Sequence, residues 1–261
     1  MRRIQFHEFH EQRWFPSALR DEVTDALQTG LSILKAYAPI TPMLQDALNV
    51  TESRSIVDLC SGGGGPWLEL SRTLQVGPYL LQIQLTDKYP NLPAFENMRV
   101  ASGNQIGFCT DSVDATNVRR DLNGFRTMFS SFHHFPPKVA VAVLQDAVDS
   151  HHCIAVFEVT QRSPLAIGLM IPWAFMAFLY TPWIRPFRWS RLLWTYVIPL
   201  VPLVLLFDGV VSCLRTYRPN ELREIIAKLT NAEYQWEVGE HSDGSFRAPI
   251  TYLIGCPQVL R

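Results

Sequence analysis

Four consecutive glycines occupy positions 62–65, directly after a short apolar run that contains the acid Asp58. Glycine tolerates a positive φ and lets a ligand approach the backbone without meeting a Cβ atom. A helical pattern of leucines follows, and the first N–H groups of a helix are free to bind an anion or a polar ligand edge. The stretch 55–67 therefore predicts a strand, a glycine-rich turn and a helix that together bind a ligand.

A second acid, Asp87, stands where the next strand should end. Apolar residues alternate with glutamines over 81–85, which is typical of a strand. Asp87 comes about thirty residues after Asp58, the length of one βαβ unit. In such folds a carboxylate at this position accepts hydrogen bonds from both hydroxyls of a ribose. An Asp after a strand can also cap a helix, and that alternative stays open here.

The glycine turn resembles motif I of class I S-adenosylmethionine (SAM)-dependent methyltransferases, Asp/Glu-x-Gly-x-Gly-x-Gly. Asp58, Gly62 and Gly64 match this motif, whereas Cys60 stands at the first glycine. The dinucleotide pattern Gly-x-Gly-x-x-Gly fits less well, because Trp67 stands at the third glycine, where a helix must pack closely on a strand. The resemblance implies SAM as the cofactor and disfavours an NAD-dependent reductase.

The segment 111–115 resembles the adenine-binding motif of the same methyltransferases, in which an acid accepts from the exocyclic amine and the next N–H meets a ring nitrogen. Asp114 and Ala115 are the match, with Asp111 as the alternative acid, and a capped turn without a ligand is equally compatible. We predict that the following residues bind SAM: Asp58, Ser61, Gly62, Gly63, Gly64, Asp87, Lys88, Asp114, Ala115 and Ser130.

Two adjacent histidines, His133 and His134, follow a predicted fourth strand. This run resembles the loop of ubiquinone/menaquinone-type methyltransferases that places a His-His pair beside the cofactor, although Arg126 stands where those proteins usually have an acid. Histidine can act as a general base, but histidines in such loops often only pack and hydrogen-bond. Asp208, bounded by apolar sequence and Gly209, should be paired or functional. We predict His133, His134 and Asp208 as the catalytic residues.

Neither a metal site nor a disulfide is predicted. The segment His7-Glu8-Phe9-His10-Glu11 has metal-ligand side chains, but it is not His-Glu-x-x-His and no further ligand cluster is near it in sequence. We expect a solvated helix start there. The five cysteines are scattered without a Cys-x-x-Cys pattern, which indicates reduced thiols and a chain that faces the cytosol.

The elements that position these loops predict an α/β fold. A chain of 261 residues can bury one large core, and 23 basic against 24 acidic residues show no footprint of nucleic-acid binding. Helical spacing over 19–34 predicts an N-terminal arm, and such helices often cap the active site in class I methyltransferases. A helix from 219 and strands at 234–238 and 250–255 resemble the ending of that fold. We expect a Rossmann-like seven-stranded methyltransferase sheet with a C-terminal antiparallel hairpin.

The chain divides into a helical cap at 1–50, a SAM-binding core at 51–162, a hydrophobic helical insert at 163–212 and the rest of the core at 213–261. Two almost uncharged runs of the insert flank Arg185, Arg188 and Arg191. The first run could span a bilayer, but prolines interrupt both. A hairpin of two spans would also put the arginines on the far side, against the positive-inside tendency. We favour broken helices that dip into one leaflet, with tryptophans at the interface and arginines near phosphates.

Together these features predict a SAM-dependent methyltransferase at the cytoplasmic side of a membrane, acting on an apolar small-molecule or lipid-like acceptor. A membrane-spanning hairpin, a lid on a soluble cytoplasmic protein and a dimer interface are the alternatives for the insert. A membrane-attached scaffold or sensor that binds SAM or S-adenosylhomocysteine (SAH) without catalysis is the alternative function. Cys60 and Arg126, the two departures from the family pattern, slightly support that alternative.

Overall fold

A single mixed sheet organises the molecule. The computed structural model describes residues 1–12, 14–230, 233–244 and 248–258. Their strands are β1 Ser55–Asp58, β2 Gln82–Leu85, β3 Ile106–Phe108, β4 Phe125–Phe129, β5 Ile154–Glu158, β6 Tyr234–His241 and β7 Ile250–Pro257. They lie in the order β3-β2-β1-β4-β5-β7-β6, and β7 runs antiparallel to the other six strands. The predicted sheet with its C-terminal hairpin is confirmed.

Helices cover both faces of this sheet. They are α1 Ser17–Ile33, α2 Thr41–Val50, α3 Trp67–Leu70, α4 Leu92–Ala101, α5 Pro137–Asp149, α6 Pro164–Tyr180, α7 Trp189–Leu192, α8 Leu200–Arg215 and α9 Pro219–Ile226. One buried cluster joins a face of the sheet to α2, α3 and α4, and a second joins the other face to α5 and α9. Every residue of β4 and β5 is buried, as expected for parallel strands covered on both sides.

A third buried cluster lies away from the sheet and joins the N-terminal arm to the insert. Phe15, Leu19, Val23 and Ala26 come from the arm. Ala177, Tyr180, Ile184, Val201, Val204 and Leu205 come from the insert. The two segments are far apart in sequence, yet they form one helical layer over the carboxyl edge of the sheet.

The arginines of the insert differ in their surroundings. Arg185 is exposed and Arg188 is half-buried. Arg191 is only 1% exposed, and its Nη2 lies 2.6 Å from Oδ2 of Asp25 on α1. The prediction that all three arginines reach lipid phosphates is therefore wrong for Arg191, because a buried carboxylate compensates its charge inside the protein.

The insert presents part of its apolar surface to the outside. The helical segment Pro164–Trp183 is long and apolar enough to cross a membrane, and 28% of its most apolar window is buried. The pair Trp189–Val197 and Leu200–Arg215 meets the same test only as one broken span, bent by 72°. Trp183 and Trp189 are 71% and 78% exposed, whereas Trp173 and Trp194 are half-buried.

The structure contains one disulfide, between Cys153 and Cys256. The antiparallel register of β5 and β7 pairs Ile154 with Gly255, which brings the two neighbouring cysteines together. The expectation of five reduced thiols is wrong for this pair. Cys60, Cys109 and Cys213 are free.

Candidate functional site

The glycine turn after β1 has a left-handed backbone along most of its length. Cys60, Gly62, Gly64 and Gly65 have φ values of 57°, 55°, 111° and 58°. A Cβ atom at Gly64 would also lie 2.7 Å from Cγ of Met98, so no other residue fits there. Cys60 adopts the left-handed conformation even though it carries a Cβ atom. Cys60 thus has the left-handed backbone that a glycine at this position of motif I would readily adopt.

Asp58 and Ser61 tie this turn to the sheet. The Asp58 carboxyl is buried and accepts hydrogen bonds from Thr127 Oγ1 at 2.6 Å and from Ser61 Oγ at 2.7 Å. Burial raises the pKa of Asp58 to about 6, although these two hydrogen bonds oppose the shift. Both side chains thus act inside the protein and hold the turn in place.

Asp87 links the end of β2 to the turn. Its Oδ2 accepts from the Gly62 N–H at 2.9 Å, and its Oδ1 accepts from the Tyr89 N–H at 2.8 Å. A carboxylate has about four lone-pair sites, so a ligand hydroxyl can still bind. Burial raises the pKa of Asp87, and the two backbone hydrogen bonds oppose that shift.

Lys88, Asp114 and Ala115 lie along the same edge of the sheet. Lys88 Nζ is 3.0 Å from Asp114 Oδ2. Asp114 Oδ1 accepts from the N–H and the hydroxyl of Thr116, as in a capped turn. The Ala115 side chain is buried. The loops after β1, β2 and β3 are thus connected to one another by direct contacts.

Helix α1 lies against the glycine turn. Gln28 Nε2 donates to the Gly65 carbonyl. A Cβ atom at Gly63 would lie 3.1 Å from Gln28 Cβ, and one at Gly62 would lie 3.4 Å from Thr24 Cγ2. The distance at Gly63 is tighter than an ordinary Cβ contact, so a side chain there would push against α1, whereas the distance at Gly62 is an ordinary contact.

A cavity of about 510 Å³ lies between the arm, the insert and the loop after β4. Most of its wall is apolar and includes Leu27, Leu31, Leu169, Met170, Trp173 and Leu205. Of the predicted site residues, its described lining includes Ser130, His133, His134 and Asp208 but none from the glycine turn. Ser130 Oγ accepts from the Tyr37 hydroxyl at 2.7 Å and from the Val159 N–H at 3.2 Å.

Three imidazoles at the polar end of this cavity each hold a carboxylate at Nδ1. The pairs are His10–Asp208 at 2.8 Å, His133–Glu158 at 2.6 Å and His134–Glu11 at 2.6 Å. Asp208 also accepts from the Phe9 N–H at 2.8 Å. The structure thus brings the three predicted catalytic residues to one end of the cavity, together with partners from the N-terminal arm.

Glu8 lies in the middle of this cluster and is 1% exposed. Its carboxylate oxygens are 3.4 Å from His10 Nδ1, 3.4 Å from His133 Nε2 and 3.3 Å from Arg215 Nη1. Arg215 is fully buried and also contacts Glu11 at 2.8 Å. The expectation of a solvated helix start is wrong, because the arm is folded against α8 and the loop after β4.

The two adjacent histidines have opposite electrostatics. Burial alone would lower the pKa of His133, but Glu158 and Glu8 outweigh it and raise the pKa to about 9. For His134 burial prevails and lowers the pKa. Burial would raise the pKa of Glu8, but the neighbouring histidines lower it to about 2. At neutral pH His133 is therefore a cation, while His134 keeps a lone pair, as a general base requires.

Sequence reasoning missed part of this cluster. Glu8, His10 and Glu11 were visible as a motif, but their partners His134, Asp208 and Arg215 are 123 to 207 residues away. Local spacing carries no signal of such contacts. Arg126, the other departure from the family pattern, is buried and pairs with Asp146 at 2.6 Å.

Comparisons with known proteins concern the fold. No protein-family model and no curated protein sequence matches this chain. Solved structures do match: the plantazolicin methyltransferase BpumL in complex with SAH has a TM-score of 0.53 and 12% identity, over 95% of this chain and 94% of that one. The methyltransferase domain of bacterial CtHen1-CN has a TM-score of 0.51 and 11% identity, over 85% of this chain and 99% of that one. This is the class I methyltransferase fold.

An O-methyltransferase family protein from Burkholderia thailandensis is also similar, with a TM-score of 0.50 and 16% identity, and the match spans 91% of this chain but 60% of that chain. In the class I methyltransferase fold, the strand order reverses at β1, which lies between β2 and β4. Open α/β sheets bind their ligands at this point, outside the carboxyl ends of the strands. The glycine turn of this chain lies there.

Proposed function

We propose that the protein is a SAM-dependent methyltransferase with an apolar acceptor. The observation that carries this proposal is the left-handed glycine turn at the reversal point of a methyltransferase-type sheet. Acids follow β2 and β3 on the same edge, at Asp87 and Asp114. The donor set suits SAM, because carboxylates can accept from the ribose hydroxyls and the adenine amine, while backbone N–H groups of the turn can bind the remaining polar atoms.

The cavity supports an acceptor with a long apolar body and one protic head group. Its wall is mainly apolar, and its polar groups cluster around His134 and Asp208. Bound SAM would supply an electrophilic methyl group. His134 then contributes a lone pair at Nε2, because Glu11 holds its Nδ1. That lone pair can take the proton of the acceptor, and the apolar wall excludes water from the reacting groups.

The exposed apolar side chains of the insert support action at a membrane surface. Leu165, Phe175, Leu179, Trp183 and Trp189 are each at least 65% exposed. Helix α6 carries the first three, and Leu169 and Trp173 of the same helix line the cavity. A lipid-like acceptor could therefore pass from one leaflet into the cavity along α6. The catalytic core would lie at the cytoplasmic side.

Calorimetric titration with SAM tests the cofactor site. We expect Asp87→Ala to weaken SAM binding more than tenfold, because charge-assisted hydrogen bonds contribute roughly 1.5–3 kcal/mol. Asp149→Ala is the matched control, since Asp149 is an exposed acid at the end of α5, just before β5 begins, and so lies at the opposite edge of the sheet. Unchanged affinity in Asp87→Ala would rule out the ribose assignment.

A methyl-transfer assay with labelled SAM and a membrane lipid extract distinguishes catalysis from cofactor binding alone. An enzyme transfers label to a lipid-soluble product, whereas a SAM- or SAH-binding scaffold binds the cofactor and transfers none. Arg126 no longer favours the scaffold, because its pairing with Asp146 accounts for it within the fold. Cys60 does not favour it either, since the turn keeps its left-handed shape there.

A further inference from the structure

We propose that Glu8, His10 and His134 bind one divalent transition-metal ion at the polar end of the cavity. Each of these residues offers one ligand atom, and the three atoms lie within 4.8 Å of one another. All three residues line the cavity. Metal binding does not depend on the proposed function, whereas a role for the metal in methyl transfer rests on it.

Each histidine of the proposed site contacts a carboxylate through one ring nitrogen, as metal-ligating histidines usually do. Asp208 holds Nδ1 of His10 at 2.8 Å, and Glu11 holds Nδ1 of His134 at 2.6 Å. A carboxylate at Nδ1 fixes the tautomer and leaves Nε2 as the second nitrogen that could bind a metal, although Nδ1 is the nitrogen of each ring nearest Glu8, at 3.4 Å in His10 and 3.7 Å in His134. The two carboxylates are themselves fixed, Asp208 by the Phe9 N–H and Glu11 by Arg215.

The charge of the cluster also favours a cation. Four carboxylates converge here: Glu8, Glu11, Glu158 and Asp208. Among the described residues, Arg215 pairs with Glu8 and Glu11, and the His133 cation pairs with Glu158 and Glu8, so these two positive charges face four negative ones. Buried carboxylates require compensating charge. A divalent ion between Glu8 and the two imidazoles would supply it.

The ligand set selects the class of metal. Two imidazoles with one carboxylate suit Zn²⁺ and its transition-metal neighbours, whereas Mg²⁺ and Ca²⁺ prefer oxygen ligands. Three protein ligands leave a fourth position open, as in catalytic zinc sites. An acceptor oxygen from the cavity could occupy it, and the metal would then make that oxygen easier to deprotonate. His134 would act as a ligand in this case and not as the base.

A metal titration tests the site. The protein is first treated with a chelator to remove any metal and is then titrated with Co²⁺ and Zn²⁺. We expect one equivalent of metal per chain, a visible Co²⁺ absorption typical of nitrogen and oxygen ligands, and a rise in melting temperature with Zn²⁺. His10→Ala and His134→Ala should each weaken binding by at least 100-fold. Asp208→Asn should weaken it 10- to 100-fold, as loss of a carboxylate behind a ligand does.

His7→Ala is the matched control, because His7 is exposed and lies only three positions from His10. It should bind metal like the wild type. Glu8→Gln keeps the size of the side chain and serves if a histidine variant fails to fold. SAM titration of each folded variant separates this inference from the proposed function, since the cofactor affinity should not change. Wild-type metal affinity in folded His10→Ala or Glu8→Gln, or no stoichiometric binding by the wild type, would overturn the proposal.

Discussion

At the scale of single residues, the charge state of each histidine follows from its carboxylate partners. His133 contacts Glu158 at 2.6 Å and Glu8 at 3.4 Å, and all three side chains are buried. Its protonated form is stabilised inside the protein. His134 contacts Glu11 at 2.6 Å and Glu8 at 3.7 Å, but its burial and the neighbouring His133 cation keep it neutral. Two neighbouring histidines thus divide the roles of structural cation and available lone pair.

The His133 cation makes the stability of the fold pH-dependent. The pKa of His133 is about 9 in the folded state, against about 6.5 for histidine in an unfolded chain. The contribution of protonated His133 to the free energy of unfolding is fully present below pH ~6.5 and is lost as the pH rises through 9. Between these limits we expect the free energy of unfolding to fall by about 3 kcal/mol more in the wild type than in a variant without this histidine, because each unit of pKa difference corresponds to about 1.4 kcal/mol.

Chemical denaturation across this pH range measures the effect. His133→Gln should remove the additional fall, while His7→Gln, which changes an exposed histidine, should follow the wild-type curve. A wild-type curve that runs parallel to His133→Gln would show that His133 is neutral in the folded protein.

The residues around the glycine turn could be predicted from sequence, whereas the polar cluster could not. Asp58, Gly62 and Gly64 are neighbours in sequence, so their spacing reports their geometry directly. Glu8 is buried only because α8 and the loop after β4 close over it, and those contacts span 125 residues and more. From the sequence alone, the acids of the N-terminal arm were therefore expected to be exposed to solvent.

At the scale of elements, the insert and the N-terminal arm depend on each other. The strands of the sheet and the helices that cover it could be predicted from local sequence patterns, since each pattern lies within its own segment. The third buried cluster joins α1 to α6 and α8, which no local pattern reveals. Arg191 illustrates the difficulty: a charge between two apolar runs suggests a surface position, yet Asp25 of α1 pairs with it.

Removing residues 165–207 should leave the sheet folded but release α1. The two clusters on the faces of the sheet contain no residue of this segment, so cooperative unfolding should persist. Helix α1 would lose the partners of Val23 and Ala26. We expect faster amide hydrogen exchange in α1 and nearly unchanged exchange in β4 and β5. Loss of all cooperative unfolding would mean that the insert is part of the main core.

A point substitution tests the same contact without shortening the chain. Ala177→Asp places an unpaired charge at a fully buried position of α6, which costs several kcal/mol. It should speed exchange in α1 as the deletion does. Leu165→Asp on the same helix is the control, because Leu165 is 74% exposed. Equal rates of amide hydrogen exchange in α1 of both variants would contradict a core that is shared by the arm and the insert.

At the scale of the whole molecule, the exposed apolar face of the insert and the basic side chains beside it suggest binding to an anionic membrane surface. Arg185 and Arg188 are accessible, and a basic residue near such a surface contributes about 1 kcal/mol. Arg185→Glu with Arg188→Glu should lower binding to anionic vesicles by at least tenfold, measured by co-sedimentation. The control is Arg72→Glu with Lys138→Glu, two exposed residues of the core. An equal loss in the control would mean that only net charge matters.

The insert has a turn between its two apolar runs. The contacts of this turn favour an insert that lies on one leaflet. Arg191 pairs with Asp25, and the Ser190 hydroxyl donates to Glu22, so this turn is attached to α1. Helix α1 in turn lies against the glycine turn of the catalytic core. These contacts predict that the turn lies on the same side of a membrane as the core, whereas a spanning hairpin would place it on the other side and break both contacts.

Labelling from one side of a vesicle tests this arrangement. Trp189 is exposed, and a cysteine placed there by Trp189→Cys should react with a membrane-impermeant maleimide from the side on which the core lies. The wild-type chain is the control for background, since Cys109 and Cys213 are buried and Cys60 is half-buried. Reaction only from the opposite side would show that Pro164–Trp183 crosses the bilayer. The ion pair of Arg191 with Asp25 would then have to be absent from the membrane-bound protein.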